Sequence, residues 1–135
     1  MHVQPYLFFE GRCQEAIDFY CSALGAEVRM LLRFRDGPGQ AAQGGDKVMH
    51  ACLQIGETEM FMSDGTCKGS PVFHGFSLSL AAADDTAARR LFAALSEGGV
   101  VTMPMMTTFF ASSFGMVTDR FGVPWMVAVR GTERT

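Results

Sequence analysis

The chain of 135 residues has no run of positive charge. Its eleven Lys and Arg residues are scattered, the longest run being the pair Arg89-Arg90, and the formal net charge is −3. Phosphate neutralisation needs clustered basic side chains, so a nucleic-acid partner is not expected. No stretch approaches the roughly 18–20 consecutive apolar residues of a membrane helix, so no membrane partner is expected either. The opening MHVQPYLFFEGRC lacks a basic leader and a cleavable apolar segment, which argues against secretion. The cysteines, Cys13, Cys21, Cys52 and Cys67, show no C-x-x-C spacing and read as reduced, mostly buried thiols. Cytoplasmic localisation follows as the expectation. Equally missing are a Ser-His-Asp order, a nucleophile elbow, a P-loop and a dinucleotide fingerprint.

What is present is a globular composition, 48% hydrophobic and 19% charged. VQPYLFFEG (3–11) reads as a strand ending in a turn at Glu10-Gly11. CQEAIDFYCSALG then places Ala16, Ile17, Tyr20, Ala23 and Leu24 on one helical face, and Gly25 stops it. AEVRMLLRF (26–34) is the next strand, followed by a flexible loop over 36–46. KVMHACLQI (47–55) and ETEMFMSD (57–64) form a hairpin about Gly56.

The pattern then restarts. GFSLSLAAA (75–83) is a strand. A helix opens on Asp84 or Asp85, carries Ala88, Leu91, Phe92 and Leu95 on one face, and closes on Gly98-Gly99. VVTMPMM (100–106) is a strand interrupted by Pro104, TTFFASS is expected to leave the sheet, and FGMVTDRFGVPWMV (114–127) supplies the last hairpin. The order is β-α-β-β-β, twice, in a single domain over 1–135 with modules of about 1–66 and 73–131. Placing Gly56 on Gly122 sets Met60 opposite Met126; placing Tyr6 on Ser77 sets Gln4 opposite Gly75.

That order, with YLFFEGRCQEAIDFY, GAEV, VMHACLQIG, SLSL and FGMVTDRFGVPWMV, resembles the vicinal oxygen chelate superfamily of glyoxalases, bleomycin-resistance proteins and dioxygenases, and within it the PhnB-like branch. The resemblance implies an α+β fold of two βαβββ modules, each curling a mixed sheet into half of an open barrel with the helices outside. It also implies a homodimer and a pocket within each curled sheet. Enzyme members hold a divalent metal there as a Lewis acid.

Strand periodicity assigns the faces. The helices need the more apolar side, so Gln4, Tyr6, Ser77 and Ser79 are expected to line the concavity, with Phe8 an apolar wall residue. His50 is either a satisfied strand histidine or a general base in the pocket. Met60, Met126 and Phe114 are read as further lining residues, the thioethers filling either core or an adaptable apolar pocket.

The resemblance implies His, Gln or Glu ligands from the first strand of each module and Glu from the last. Those places fall on Gln4, Gly75, Met60 and Met126, which is one weak hard-metal donor against the three or so a catalytic site needs. No metal cofactor is therefore expected, although His74 and Glu59 each stand one residue from a ligand place. Asp119 reads as an Asx-turn residue in TDRFG, and Arg120 as a partner for an acid or for an anionic ligand.

The expected function is a small-molecule-binding protein of unknown ligand. The alternative is a metal-dependent lyase, isomerase or dioxygenase of the same superfamily, with its catalytic residues unassigned. A ubiquinone-pathway methyltransferase label sometimes accompanies the branch. A methyl-donor site usually sits at a glycine-rich strand–helix turn of a parallel sheet, and this chain has none. A purely structural dimerisation module is the remaining reading.

Overall fold

The computed structural model describes residues 1–39 and 44–130, and the chain divides into two compact units, 1–71 and 72–135. Unit 1 runs β1 (Tyr6–Phe8), α1 (Cys13–Leu24), β2 (Glu27–Arg33), β3 (Val48–Ile55) and β4 (Thr58–Ser63). Unit 2 runs β5 (Leu78–Ala81), α2 (Asp85–Ser96), β6 (Val100–Met106), β7 (Ala111–Thr118) and β8 (Pro124–Arg130). The two sheets have the same topology, β1-β4-β3-β2 and β5-β8-β7-β6. In each, the first strand runs parallel to the last and the other pairs are antiparallel. The fold is α+β with the βαβββ unit used twice.

In unit 1 the sheet buries Leu7, Ala51, Leu53, Met60 and Met62 on one face. Helix α1 supplies the matching stripe, with Ala16, Ile17, Tyr20 and Ala23 buried. The Tyr20 ring lies 6.3 Å from Phe9. Each large side chain buried this way contributes on the order of 1.5–3 kcal/mol. Gly25 ends the helix in the left-handed conformation, φ 68°, donating to the carbonyls of Cys21 and Tyr20.

The start of α1 has no side-chain cap of its own, since Arg12 holds the cap position. Asp64, just past β4, replaces it. Its Oδ1 accepts from the backbone N–H of Gly11 and of Cys13, both at 2.8 Å, and its Oδ2 from Val48 at 2.7 Å. One carboxylate thus ties the β1–α1 turn to β3 and β4. Three backbone N–H groups that helix and sheet leave unpaired, those of Cys13 and Val48 buried and that of Gly11 half-buried, are satisfied by it.

In unit 2, α2 is capped by the Asp84 carboxylate, which accepts from Ala87 N–H at 2.8 Å. Its residues Ala88, Phe92 and Leu95 are buried, as are Val117, Trp125 and Val127 of the sheet. Gly115 permits the closest approach of this layer, because a Cβ there would stand 2.7 Å from Phe92 Cε1.

Several elements differ from the sequence expectation. The first strand is ordered as β only over Tyr6–Phe8: Pro5 donates no hydrogen bond, and after Phe9 donates to Ser63 the chain turns into α1. The fifth strand begins at Leu78, after the left-handed Gly75, φ 83°. Strand β6 passes through Pro104 without ending, because it is a sheet edge and register shifts absorb the missing donor. TTFFASS does not leave the sheet as a whole. Ala111 already opens β7, and Thr108 closes a tight turn by accepting from Phe110 and Ala111. Of the loop over 36–46, residues 40–43 lie outside the described residues.

Candidate functional site

The face of the unit 1 sheet turned away from α1 is built in cross-strand rows. Tyr6 pairs with Phe61, Phe61 with Cys52 and Cys52 with Met30, so these four side chains share that face. On one side of this row Leu32 pairs with His50, and Phe8 follows Tyr6 at the strand period. On the other side lies a polar row, Glu27–Gln54–Glu59. Gln4 joins it, its Nε2 donating to Glu59 Oε1 at 3.1 Å.

The middle of this face is aromatic. Tyr6 and Phe8 stack with centroids 4.9 Å apart at 29°. The His50 and Phe61 rings are 5.4 Å apart at 35°, and the Tyr6 hydroxyl and His50 Nδ1 share a hydrogen bond of 2.9 Å. Tyr6 and Phe8 stay open to solvent, as do Met30 and Leu32 beside them, while His50 and Phe61 are half-buried. Tyr6 is 39% exposed, Phe8 52%, Met30 48% and Leu32 39%, so this face presents apolar side chains to solvent, the feature that marks an interaction site. Cys52 lies beneath it. Burial pushes its thiol pKa up, and the neighbouring Glu59 carboxylate pushes it further in the same direction.

Gln4, Tyr6, Phe8 and His50 thus lie on one face of unit 1. Met60 does not. It is 2% exposed, pairs with Leu53 and packs in the helix layer. Setting Gly56 on Gly122 puts Met60 on the wrong face, because the two hairpins differ in length. In unit 1 the hairpin turns in two residues, Ile55 pairing with Thr58; in unit 2 the connection is longer, Thr118 pairing with Pro124. Matching the glycines slips β4 against β8 by an odd number of residues, which reverses the face. Glu59 and Phe61 are the β4 residues that look away from α1. The charge on Glu59 carried that signal, since an unpaired acid rarely faces a core.

In unit 2 the equivalent face carries Ser79, Met126, Met116 and Met103 in one row, Ser79 pairing with Met126, Met126 with Met116 and Met116 with Met103. Phe114 lies two residues along β7 on the same face, its ring 5.2 Å from Phe110. Ser77 precedes β5 and is half-buried; Gly75 and His74 are exposed. Asp119 forms the expected Asx turn, accepting from Phe121 N–H at 2.9 Å, and accepts from Val123 N–H and Trp125 Nε1 as well. Arg120 Nε donates to the Glu97 carbonyl, near the end of α2.

Among the described residues, the donors of neither unit fit a hard divalent ion. Unit 1 offers the Gln4 amide and the Glu59 carboxylate, already bonded to each other. The unit 2 places named by the resemblance hold Gly75 and Met126. Among the described residues no group of three or more His, Cys, Asp and Glu is gathered for a metal.

A doubled βαβββ unit with an open sheet face defines the fold of the glyoxalase, bleomycin-resistance and dioxygenase superfamily. It is shared with a glyoxylase/bleomycin resistance protein/dioxygenase domain from Frankia sp. EAN1pec, 17% identical, TM-score 0.64, covering 96% of this chain and 95% of that one. The chain belongs to the family described as 3-demethylubiquinone-9 3-methyltransferase, whose model matches residues 1–128. It is 34% identical to Protein YjdN of Escherichia coli K12, over 96% of this chain and 95% of that protein. It is similar in structure to PA1353 from Pseudomonas aeruginosa, 44% identical, TM-score 0.86, covering 96% and 98% of the two chains. A putative 3-demethylubiquinone-9 3-methyltransferase, PhnB protein, from Bacillus cereus is 25% identical, TM-score 0.79, over 96% and 99%.

Proposed function

We propose that the chain is a small-molecule-binding protein that takes a planar organic ligand on the helix-free face of unit 1 without a hard divalent metal. The observation that carries this is the open cluster of Tyr6, Phe8, His50 and Phe61. Exposed aromatic rings held at fixed distances offer apolar area and ring faces at little entropic cost. The Tyr6–His50 hydrogen bond lies within the aromatic patch and the Gln4–Glu59 pair at its edge, where they can orient a polar substituent. Ser77, Ser79, Phe114 and Met126 are the lining residues proposed in unit 2.

The working state proposed is a cytoplasmic homodimer. Four free cysteines among the described residues fit a reducing compartment, and no described helix is long and apolar enough to cross a membrane. Methyl transfer, the activity in the family's description, draws no support from these residues. The strand–helix turn after β1 is filled by the Asp64 carboxylate, and that before α2 by Asp84.

Screening a library of flat aromatic fragments by ligand-observed NMR tests the reading. Hits should shift the ring signals of Tyr6, His50 and Phe61 and be lost in Phe8→Ala and Phe61→Ala. Fragments that bind elsewhere, or that bind both variants unchanged, would refute it.

A further inference from the structure

The place where the resemblance puts a ligating glutamate in the last strand holds Met126, and that methionine is not alone. Met103, Met116 and Met126 are successive cross-strand partners on β6, β7 and β8. Directly opposed residues point to the same side of a sheet, with Cβ atoms about 4.5–5.5 Å apart; the Met103–Met116 pairing stands between two register shifts of the edge strand β6, which bend that strand but keep the pair. That side is the one away from α2. Gly115 and Val117, which flank Met116, are buried, with Gly115 against Phe92; Trp125 and Val127, which flank Met126, are buried too. The three methionines themselves are only half-buried. Each has three rotatable bonds, enough for the sulfurs to close on one point above β7.

We propose that Met103, Met116 and Met126 form a binding site for a soft monovalent cation, copper(I) or silver(I). Thioethers are soft, uncharged donors that suit such ions and discriminate against zinc, manganese or magnesium. Three donors on adjacent strands supply a trigonal set. The row ends in Ser79, so no hard anionic ligand competes within it. The Phe114 side chain, on the same face of β7, adds a ring near the cation. Thioethers carry no proton, so binding here needs no deprotonation and has no pH dependence across the range where His or carboxylate sites lose their metal. The site is in unit 2 and is independent of the ligand proposed for unit 1.

The probe is silver(I) alone, which is diamagnetic and redox-inert. It is titrated into the full chain labelled with 13C at the methionine methyls and carrying C21S and C67S, which removes the two cysteines outside the core. The Met103, Met116 and Met126 methyl signals should move together and saturate at one silver per chain, equally at pH 5.5 and pH 8, while Met62 stays fixed. In Met116→Leu the other two should need at least ten-fold more silver. Met103→Leu, on the edge strand, serves if the central substitution disturbs the Met62 signal. Two results overturn the site: methyls that stay still while the remaining thiols take silver, or two remaining methyls that respond at the original concentration in either variant.

Discussion

Gln4 Nε2 donates to Glu59 Oε1 across the parallel β1–β4 edge of unit 1, and both side chains look away from the helix. The pair is exposed, so its contribution to stability is small. Gln4→Ala and Glu59→Ala should each change the unfolding free energy by no more than about 0.5 kcal/mol in urea titrations. Burial, then Glu59, raises the Cys52 thiol pKa. Glu59→Gln should therefore lower that pKa toward the ordinary thiol value, read as the 13Cβ shift of Cys52 against pH. An unchanged titration would show that burial alone sets it.

Asp64 predicts the opposite balance. It is 1% exposed and accepts three backbone N–H bonds. Asp64→Ala leaves the Cys13 and Val48 donors buried without an acceptor and the Gly11 donor half-buried, and a loss of about 3 kcal/mol is expected. Asp64→Asn keeps the shape and one acceptor but turns its NH2 toward a donor, either Val48 N–H or the Gly11 and Cys13 pair. It should therefore cost about as much as one to two lost bonds, roughly 1–3 kcal/mol. Urea midpoints at neutral pH separate the two; equal stability to the parent chain would contradict the tie.

How far these features could be read from the sequence depends on the kind of pattern that encodes them. The α1 and α2 stripes, the Gly25 stop and the Asp84 cap follow local rules of period and capping, and the sequence expresses them directly. The facing of β4 does not, because MFM offers apolar residues at both parities and the hairpin lengths differ between units. Only the charge on Glu59 breaks the tie. Asp64 was illegible for another reason: its partners Gly11, Cys13 and Val48 are distant in sequence, and an acid at a strand end ordinarily looks like a solvated turn residue. The Met103–Met116–Met126 row depends on register across three strands, which period alone cannot fix, least of all past Pro104 and the irregular β6 pairing.

Asp85 gives a pH dependence. Hydrogen bonds from Ser113, then Ser112, hold its carboxyl below the usual aspartate range. A folded-state pKa lowered in this way stabilises the fold above the unfolded value, near 4, and the stabilisation disappears as pH falls through the lowered value. Asp85→Asn should flatten the stability profile in that acid window and leave its slope between about pH 6 and 8 unchanged. Urea midpoints collected from about pH 2 to 8 would show it. A parallel offset at every pH would assign the residue a packing role instead.

Gly115 predicts a steric limit. A Cβ there would meet Phe92 Cε1 at 2.7 Å and Met105 Cα at 3.2 Å. The ring can yield but the backbone of β6 cannot easily do so. Gly115→Ala should cost about 1–3 kcal/mol, and Gly115→Ala with Phe92→Leu should recover part of it by making room. A double-mutant cycle in urea with no coupling would show that the contact is not the cause.

Trp125, the single tryptophan, supplies its own reporter. It is 4% exposed and its Nε1 donates to Asp119 Oδ2 at 2.9 Å, while Oδ1 of the same carboxylate closes the turn through Phe121 and Val123. The ring therefore belongs to the helix layer and fixes the β7–β8 connection; it does not wall the open face. Trp125→Phe removes one donor and leaves the turn bonds in place, for an expected loss of about 1–2 kcal/mol. Asp119→Ala removes the acceptor of all three and should cost more than Trp125→Phe. It should also shift the emission of the retained Trp125 to longer wavelength in the folded state. Native emission unchanged in Asp119→Ala would mean that burial alone, without the carboxylate, holds the indole in place.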